Sequence, residues 1–198
     1  MAAAEQASTG AQAKEAGFLL GRAYIDDPVW TWLLDGRDRP EQRLTRVFTA
    51  YAEAACRGGE ARVQVAESKG AALWFPPGGW KSSASDYLRS GPHVARALGV
   101  GIIRALRLLS AVERQHPKEP HWYLEAMGVL PDARGQGVGP TLLSPVLDQC
   151  DEKRLPAYLE SSNLRSVPFF ERYGFAAGAP LDVPVGAPVV IPMRREPR

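Results

Sequence analysis

The apolar residues of this chain alternate between helix-like and strand-like spacing along its length. The spacing, with its start and stop signals, predicts helices over 14–24, 29–34, 40–57, 85–114, 137–153 and 166–173. Apolar and aromatic runs predict strands over 61–68, 70–75, 122–129, 155–160, 175–177 and 189–193. The helical stretch over 85–114 is expected in two pieces, because Gly99 and Gly101 interrupt it.

The length of 198 residues fits one domain, with residues 1–13 expected to be disordered and residues 14–198 expected to form the folded unit. Lys and Arg total 24 and Asp and Glu total 22, so the net charge of +2 gives no reason to expect a nucleic-acid or membrane partner. The two cysteines are expected to be free thiols, and no metal-ligand spacing is seen. Without a transmembrane run or a signal-peptide pattern, we expect a cytoplasmic protein with no metal.

The most informative segment is a glycine-rich loop between the predicted strand over 122–129 and the next helix. Gly135, Gly137 and Gly139 alternate after Arg134, and glycines let the backbone approach a ligand closely. The N–H groups that begin a helix have no internal partner and lie at its positive end. With the arginine they form a cradle for phosphate, so the chain is predicted to bind a phosphorylated cofactor.

Two well-known phosphate loops fit this segment poorly. A dinucleotide-binding loop needs a third glycine where Pro140 stands, and its first glycine follows the strand more closely. A Walker A loop needs a lysine after the glycines, and none follows them here.

The pattern that fits is Arg/Gln-x-x-Gly-x-Gly/Ala, which is met by Arg134, Gly137 and Gly139. It resembles the pyrophosphate loop of the GNAT superfamily of acyl-CoA N-acyltransferases. Residues 163–175 resemble a second pattern of that superfamily, Asn-x-x-Ala/Ser-x-x-Phe-Tyr-Glu-x-x-Gly-Phe, with Phe170 in place of the Tyr. Four further segments resemble puromycin N-acetyltransferases and their actinobacterial relatives: 26–29, 74–78, 116–124 and 155–162.

The resemblance implies a GNAT fold. This is a mixed α/β (α+β) domain whose central sheet is splayed between two parallel strands, with helices on both faces. GNAT proteins usually open with a strand beside the hairpin, but nothing before Phe18 has strand character. The first strand is therefore expected to be missing or replaced by the Ala-rich segment. The sheet edge is then exposed or covered by a partner, which leaves room for a homodimer.

The resemblance also implies acetyl-CoA, or another acyl-CoA, as the cofactor. Its pyrophosphate is expected on the loop and its pantetheine beside the end of the strand, where the Val129 N–H would stabilise the oxyanion. Asn163 is expected to hold the pantetheine or to order water near the thiol. The residues expected to contact the cofactor are Met127, Gly128, Val129, Arg134, Gly135, Gln136, Gly137, Val138, Gly139, Thr141, Asn163 and Phe170.

Acetyl transfer to an amine needs a base, because an ammonium ion has no lone pair. Glu125 is the first candidate, since it lies on the cofactor strand and alternates with Tyr123 and Met127. The alternative for a carboxylate inside an apolar strand is an ion pair with an arginine. Glu160, at the end of the next strand, is the second candidate for the base.

The proton donor for the departing thiolate is a separate question. GNAT proteins usually use a Tyr at the position of Phe170, and Phe has no proton to give. Tyr173 lies about one helical turn further on and is the candidate catalytic acid. The alternatives are protonation by water or another hydroxyl, a slow enzyme, or a protein that binds acyl-CoA without transferring it.

The acceptor site is expected from the N-terminal half, with Trp30, Tyr51 and Glu160 as the amine-binding residues. Aromatic side chains with a few polar groups suit a small-molecule pocket, although each aromatic residue could equally belong to the core. We therefore expect an acetyltransferase for a small-molecule amine, of the antibiotic-modifying kind that the puromycin-like segments suggest. The alternatives are a non-catalytic acyl-CoA-binding protein and a protein lysine or N-terminal acetyltransferase.

Overall fold

A seven-stranded mixed sheet forms the centre of the computed structural model, which describes residues 5–6, 10–58, 61–80 and 84–198. The order of the strands across the sheet is β1-β2-β3-β4-β5-β7-β6, and only β4 and β5 are parallel neighbours. The strands are β1 (Glu5–Gln6), β2 (Arg62–Ala66), β3 (Gly70–Phe75), β4 (Trp122–Val129), β5 (Ala157–Ser161), β6 (Ala176–Ala177) and β7 (Ile191–Arg195).

Helices cover both faces of this sheet, as the resemblance implied. Gly128 of β4 faces α1, since a Cβ there would lie 2.5 Å from the Cβ of Ala23. Gly70 of β3 faces α6, where a Cβ would lie 2.9 Å from Val138. The helices are α1 (Gly10–Ala23), α2 (Pro28–Leu33), α3 (Pro40–Gly58), α4 (Ala84–Leu98), α5 (Gly101–Gln115), α6 (Val138–Glu152) and α7 (Val167–Arg172).

Helices α1 and α3 cross at close range because α1 presents glycines at the crossing point. A Cβ on Gly21 would lie 2.5 Å from Oγ1 of Thr45, and a Cβ on Gly17 would overlap Thr49. Close packing of this kind fixes the position of one helix against the other. The helix crossing therefore fixes the position of the aromatic residues of α3 near the end of the sheet.

A first strand is present, which corrects the expectation that it is missing. Glu5 and Gln6 pair antiparallel with Val65 and Gln64 of β2. A two-residue strand is held by backbone hydrogen bonds, so it leaves no alternating pattern of side chains in the sequence. Helix α1 begins at Gly10, before the predicted start. Residues 1–4 and 7–9 lie outside the described residues, so disorder over 1–13 stays a prediction there.

Strand β4 changes its neighbours part-way along its length. Residues 122–124 pair with β5, whereas residues 126–129 pair with β3 alone in the described chain, so a gap opens on the β5 side beyond residue 124. The register with β3 shifts between Leu73 and Trp74, which leaves Glu125 as the extra residue of a β-bulge. The predicted splay between two parallel strands is therefore confirmed.

The bulge also overturns one detail of the sequence reading. Simple alternation would turn Glu125 and Met127 to the same face. Instead Glu125 faces a cavity beside α2 and α3, while the Met127 methyl lies 3.4 Å from where a Cβ on Gly139 of α6 would stand. The extra residue shifts the alternation by one position. Glu125 and Met127 consequently lie on opposite faces of the sheet.

Two simpler expectations can be compared with the structure. Cys56 and Cys150 are free thiols, as predicted. In the part of the chain that is described, no helix has both the length and the apolar character needed to cross a bilayer.

Candidate active site

A cavity of about 450 Å³ lies between the ends of β4 and β5 and helices α2, α3, α4 and α5. Four residues predicted for catalysis or amine binding meet in its wall, namely Glu125, Glu160, Trp30 and Tyr51. Most of the other lining side chains are apolar, among them Val29, Leu33, Phe75, Val94, Leu98, Ile102, Leu106, Leu109 and Val112. An apolar cavity with a few polar groups at one place is typical of a small-molecule site.

Glu125 is surrounded by many protein atoms, but its side chain is accessible from the open space of the cavity. Burial, together with the nearby charge of Glu160, raises its pKa to about 7, and an interaction with Tyr123 partly opposes this. Among the described residues no arginine forms an ion pair with Glu125, so the arginine alternative is not realised. A carboxylate with a pKa near neutrality is suited to act as a base at physiological pH.

Glu160 lies in the same wall but is held by more partners. Its Oε1 lies 3.0 Å from Nδ1 of His116, and it also interacts with the phenols of Tyr123 and Tyr158. Burial first, and then the nearby carboxylates, raises the pKa of Tyr123 well above its usual value. Both tyrosines therefore stay protonated and can donate hydrogen bonds within this cluster.

Asp27 connects the acceptor side of the cavity to the end of β5. Its Oδ1 accepts hydrogen bonds from the N–H groups of Val29 and Trp30 at 3.0 and 3.1 Å, which caps α2. Its Oδ2 accepts from the Ser162 hydroxyl at 2.5 Å. Burial raises the pKa of Asp27, while these hydrogen bonds oppose the rise. The result is a fixed position for Trp30 in the cavity wall.

The backbone of β4 presents amide groups to the gap beside β5. The Leu130 N–H donates to the Lys69 carbonyl at 2.8 Å on the β3 side, so the alternate N–H of Val129 points toward the gap. The Met127 N–H also points there, but it already donates to the Tyr24 hydroxyl at 3.1 Å. The amide of Val129 is thus the one placed to meet a ligand in the gap.

The glycine-rich loop adopts a backbone that requires glycine at two positions. Gly135 has φ +79° and Gly137 has φ +86°, in the left-handed region that other residues rarely occupy. Within the described residues, four backbone N–H groups of this loop have no hydrogen-bond partner. They belong to Gly135, Gly137, Val138 and Gly139. These amides at the start of α6 fit the pyrophosphate of acetyl-CoA.

Three side chains of the predicted cofactor site support the loop itself. The Arg134 Nε donates to the Val129 carbonyl at 3.3 Å, while the side chain stays exposed. Gln136 Nε2 donates to the Asp132 carbonyl at 2.7 Å, and the Thr141 hydroxyl donates to the Gly137 carbonyl at 3.0 Å. Of the three, Arg134 is the one that carries a positive charge toward a phosphate.

The residues predicted near the thiol lie away from the cavity that contains Glu125. Asn163 Oδ1 accepts from the Arg165 N–H at 3.1 Å and so caps the short turn before α7. Phe170 is buried, and its ring packs edge-on against Phe175. The Tyr173 ring lies 5.1 Å from that of Phe169, and neither Phe170 nor Tyr173 lines the cavity.

Sequence reasoning missed a pair of histidines behind Glu160. His116 and His121 are both buried, and their Nε2 atoms lie 3.0 Å apart. A signal for them was present, since His121, Tyr123 and Glu125 recur at every second position in an otherwise apolar segment. Side chains two residues apart on a strand share a face, so this alternation places polar groups together.

The family of the chain follows from two comparisons. A model of the acetyltransferase (GNAT) family matches residues 81–175. Over 174 residues the chain is 31% identical to an uncharacterized N-acetyltransferase of Schizosaccharomyces pombe, covering 82% of this chain and 70% of the relative. The chain belongs to the GNAT acetyltransferase family. It is therefore an acyltransferase, as the loop motif predicted.

Solved structures of other proteins share the fold of this GNAT protein. A structure described as histone acetyltransferase HPA2 and related acetyltransferase from Corynebacterium glutamicum is 23% identical, with a TM-score of 0.72 over 99% of this chain and 96% of the other. The polyamine N-acetyltransferase of Drosophila melanogaster is 16% identical, with a TM-score of 0.60 over 98% of each chain. At these identities the likeness shows the fold alone.

Proposed function

We propose that this GNAT enzyme transfers the acetyl group of acetyl-CoA to the amine of a small molecule. The observation that carries the proposal is the position of Glu125. It is the extra residue of the β4 bulge, it faces a cavity of about 450 Å³, and its pKa is raised to about 7. As the base, Glu125 would lie between the acceptor cavity and the gap beside β4.

The residues on the other face of β4 fit the cofactor. The open amides of residues 135–139 and the charge of Arg134 would hold the pyrophosphate. The pantetheine would lie in the gap beside residues 125–129, and Asn163, two residues after the end of β5, is the side chain predicted to hold it. When bound, acetyl-CoA supplies the acetyl group as a reactive thioester. The Val129 N–H would donate to the carbonyl oxygen as that atom gains negative charge.

The proposed transfer begins with a proton. Glu125 takes one proton from the ammonium group, which leaves a lone pair on the nitrogen. A C–N bond then forms at the thioester carbon while the C–S bond breaks. The nitrogen then loses its second proton to give the acetamide, and the CoA thiolate takes up one proton to become the thiol, so these two transfers balance. Glu160 remains the second candidate for the base, since it lies in the same wall.

The proton for the thiolate comes from Tyr173 or from water in this scheme. Phe170 has no hydroxyl, and its ring packs between Phe169 and Phe175. Tyr173 lies at the end of α7 against Phe169, whose ring end lies 2.9 Å from where a Cβ on Gly139 would stand. It is therefore on the loop side of the sheet, where the cofactor is proposed to bind. A thiolate is a fair leaving group, so the demand on this donor is modest.

The cavity favours a small amine with an apolar body. Its polar groups cluster around Glu125 and Glu160, and the remaining wall is largely aliphatic and aromatic. The Drosophila enzyme, which is described as forming N-acetylagmatine, is a GNAT protein that acts on a small amine. Charged polyamines have little apolar surface to pack against the apolar wall of this cavity. We therefore expect a preference for aromatic or alkyl amines.

The test is thiol release from acetyl-CoA with a panel of amines, with the acetamide product identified by mass spectrometry. The panel contains phenethylamine, hexylamine, agmatine, spermidine, puromycin and a lysine peptide. Release that depends on an apolar amine supports the proposal. Release only with the lysine peptide favours a protein acetyltransferase, and CoA binding without any release favours a non-catalytic binding protein.

A further inference from the structure

Two buried histidines link the wall of the cavity to the backbone through three hydrogen bonds. His121 Nδ1 lies 2.6 Å from the carbonyl oxygen of Glu119, and the Nε2 atoms of His121 and His116 lie 3.0 Å apart. His116 Nδ1 lies 3.0 Å from Oε1 of Glu160, which reaches the cavity. Only 5% of His116 and 2% of His121 is exposed, so these ring nitrogens have little access to water.

These three contacts fix the number of protons in the row of groups. A carbonyl oxygen only accepts, so His121 Nδ1 must carry a hydrogen. A hydrogen bond between the two Nε2 atoms needs a second proton, and one between His116 Nδ1 and Glu160 needs a third. Two neutral imidazoles bring only two protons. The third is extra, and its charge cancels the charge of the Glu160 carboxylate.

The position of the extra proton follows from the surroundings of the two rings. Burial is the main cause that lowers the pKa of His121, so this ring stays neutral. The extra proton is therefore shared between His116 and Glu160. The Trp80 ring stacks on His116 at 3.8 Å, and the Tyr123 ring meets it edge-on at 4.8 Å, so the imidazole cannot turn away from Glu160.

Other titratable groups face this row from each neighbouring element. Strand β4 contributes Glu125 and Tyr123, and β5 contributes Tyr158. Helix α5 contributes Glu113 at the cavity rim, and β7 contributes Arg194 on the side of His121. Glu125 is the carboxylate among them that lies next to Glu160 inside the cavity.

We propose that His116 and His121 hold one proton against Glu160, so that this row is neutral and Glu125 alone takes the proton from the amine. The inference rests on the proposed function and assigns the two histidines as positioning residues. It also specifies the acceptor. An inner cavity with one net negative charge suits a substrate that brings one ammonium group to Glu125.

The first test measures the histidines directly in the wild-type protein. Nitrogen-15 NMR of the imidazoles is expected to show His121 neutral with its proton on Nδ1, and His116 protonated on Nε2. A proton on Nε2 of His121 with a bare Nδ1, or a His116 ring with no proton on Nε2, would overturn the proposal. The third histidine, His93, is exposed and is assigned from His93→Asn.

The second test uses the pH dependence of kcat/KM for the amine. His116→Asn removes the group that shares the proton, so a second carboxylate charge faces Glu125. The acidic limb of the profile should then rise by about one pH unit. Glu160→Gln removes that charge, so the His116→Asn/Glu160→Gln double variant should return the limb to the wild-type position. His93→Asn, outside the cavity, is the matched control.

The results separate the inference from the proposed function. A limb that stays at the wild-type pH in His116→Asn, or that the double variant fails to restore, assigns the histidines a packing role and overturns the inference. If no amine is acetylated, the proposed function fails, while the NMR measurement still decides the proton count.

Discussion

The loop over residues 134–139 and the cavity around Glu125 lie on opposite sides of strand β4, and they are built in different ways. The loop is one contiguous segment that would bind its ligand through backbone amides, and its shape depends on the positive φ values of Gly135 and Gly137. The cavity is assembled from side chains of several elements, namely β3, β4, β5, α2, α3, α4 and α5. A site formed by the backbone of one segment can be recognised from a local sequence motif. A site formed by side chains from several elements depends on strand register and on helix packing.

The largest effect on activity is expected from removing the proposed base in the cavity. Glu125→Gln keeps the shape of the side chain but removes the base, so kcat/KM for the amine should fall by about 10² to 10⁴-fold. The dissociation constant for CoA, measured by calorimetry, should not change, since the loop lies on the other face. Glu152→Gln, on an exposed site of α6, is the control for loss of a carboxylate. Retention of more than about a tenth of the activity would transfer the role of base to Glu160.

The second prediction concerns a substitution that distorts the loop and leaves the cavity unchanged. Gly137 has φ +86°, and a β-branched residue is strained there, so Gly137→Val should weaken CoA binding by about tenfold or more. Gly186 has φ +83° with open space around it, so Gly186→Val carries a similar backbone cost outside the loop. Equal loss of CoA affinity in both variants, measured by calorimetry, would argue against the loop as the binding site.

The third effect concerns the proton donor and is smaller. Tyr173→Phe removes the phenol on the loop side, and kcat should fall by about tenfold, less than for the base because a thiolate leaves readily. Phe170→Tyr should change kcat by less than about threefold, and its buried hydroxyl should cost about 1–3 kcal/mol of stability. The check is kcat together with thermal unfolding of both variants. A tenfold gain in Phe170→Tyr would place the donor at that position instead.

The smallest effect is on stability. Glu125 has a pKa raised from 4.5 to about 7, so the folded state holds its proton more tightly than the unfolded state does. Stability therefore falls as the pH rises from about 4.5 through about 7. Glu125→Gln avoids this loss and should be more stable than wild type at pH 8 by about 1 kcal/mol, or about 2–4 °C in Tm. The difference should vanish at about pH 4, and a constant difference at both pH values, measured by scanning calorimetry, would contradict it.

Much of the fold could be predicted because its elements carry local signals. Strand β4 begins and ends at the predicted residues, and the loop and helix α6 follow it as expected. Strand β1 could not be predicted, since two residues paired through their backbone leave no pattern. The bulge could not be predicted either, because the apolar residues of β4 are compatible with both registers. It is the bulge that separates Met127 from Glu125.

The candidate site shows the same division. Glu125, Glu160, Trp30 and Tyr51 were predicted from residue type, and the structure brings them into one cavity. The contact between His116 and Glu160 joins residues 44 positions apart in the chain, so no local sequence motif could predict it. Asp27, which caps α2, also accepts a hydrogen bond from Ser162, a residue 135 positions away.

The most direct test of this account is the pH profile of kcat/KM for an apolar monoamine, measured from about pH 5 to 9 with wild type and Glu125→Gln. The account predicts an acidic limb centred at about pH 7 in the wild type, the pH at which Glu125 loses its proton, and no such limb in the residual activity of the variant. A limb that persists unchanged in Glu125→Gln would contradict the account, because another group would then be the base.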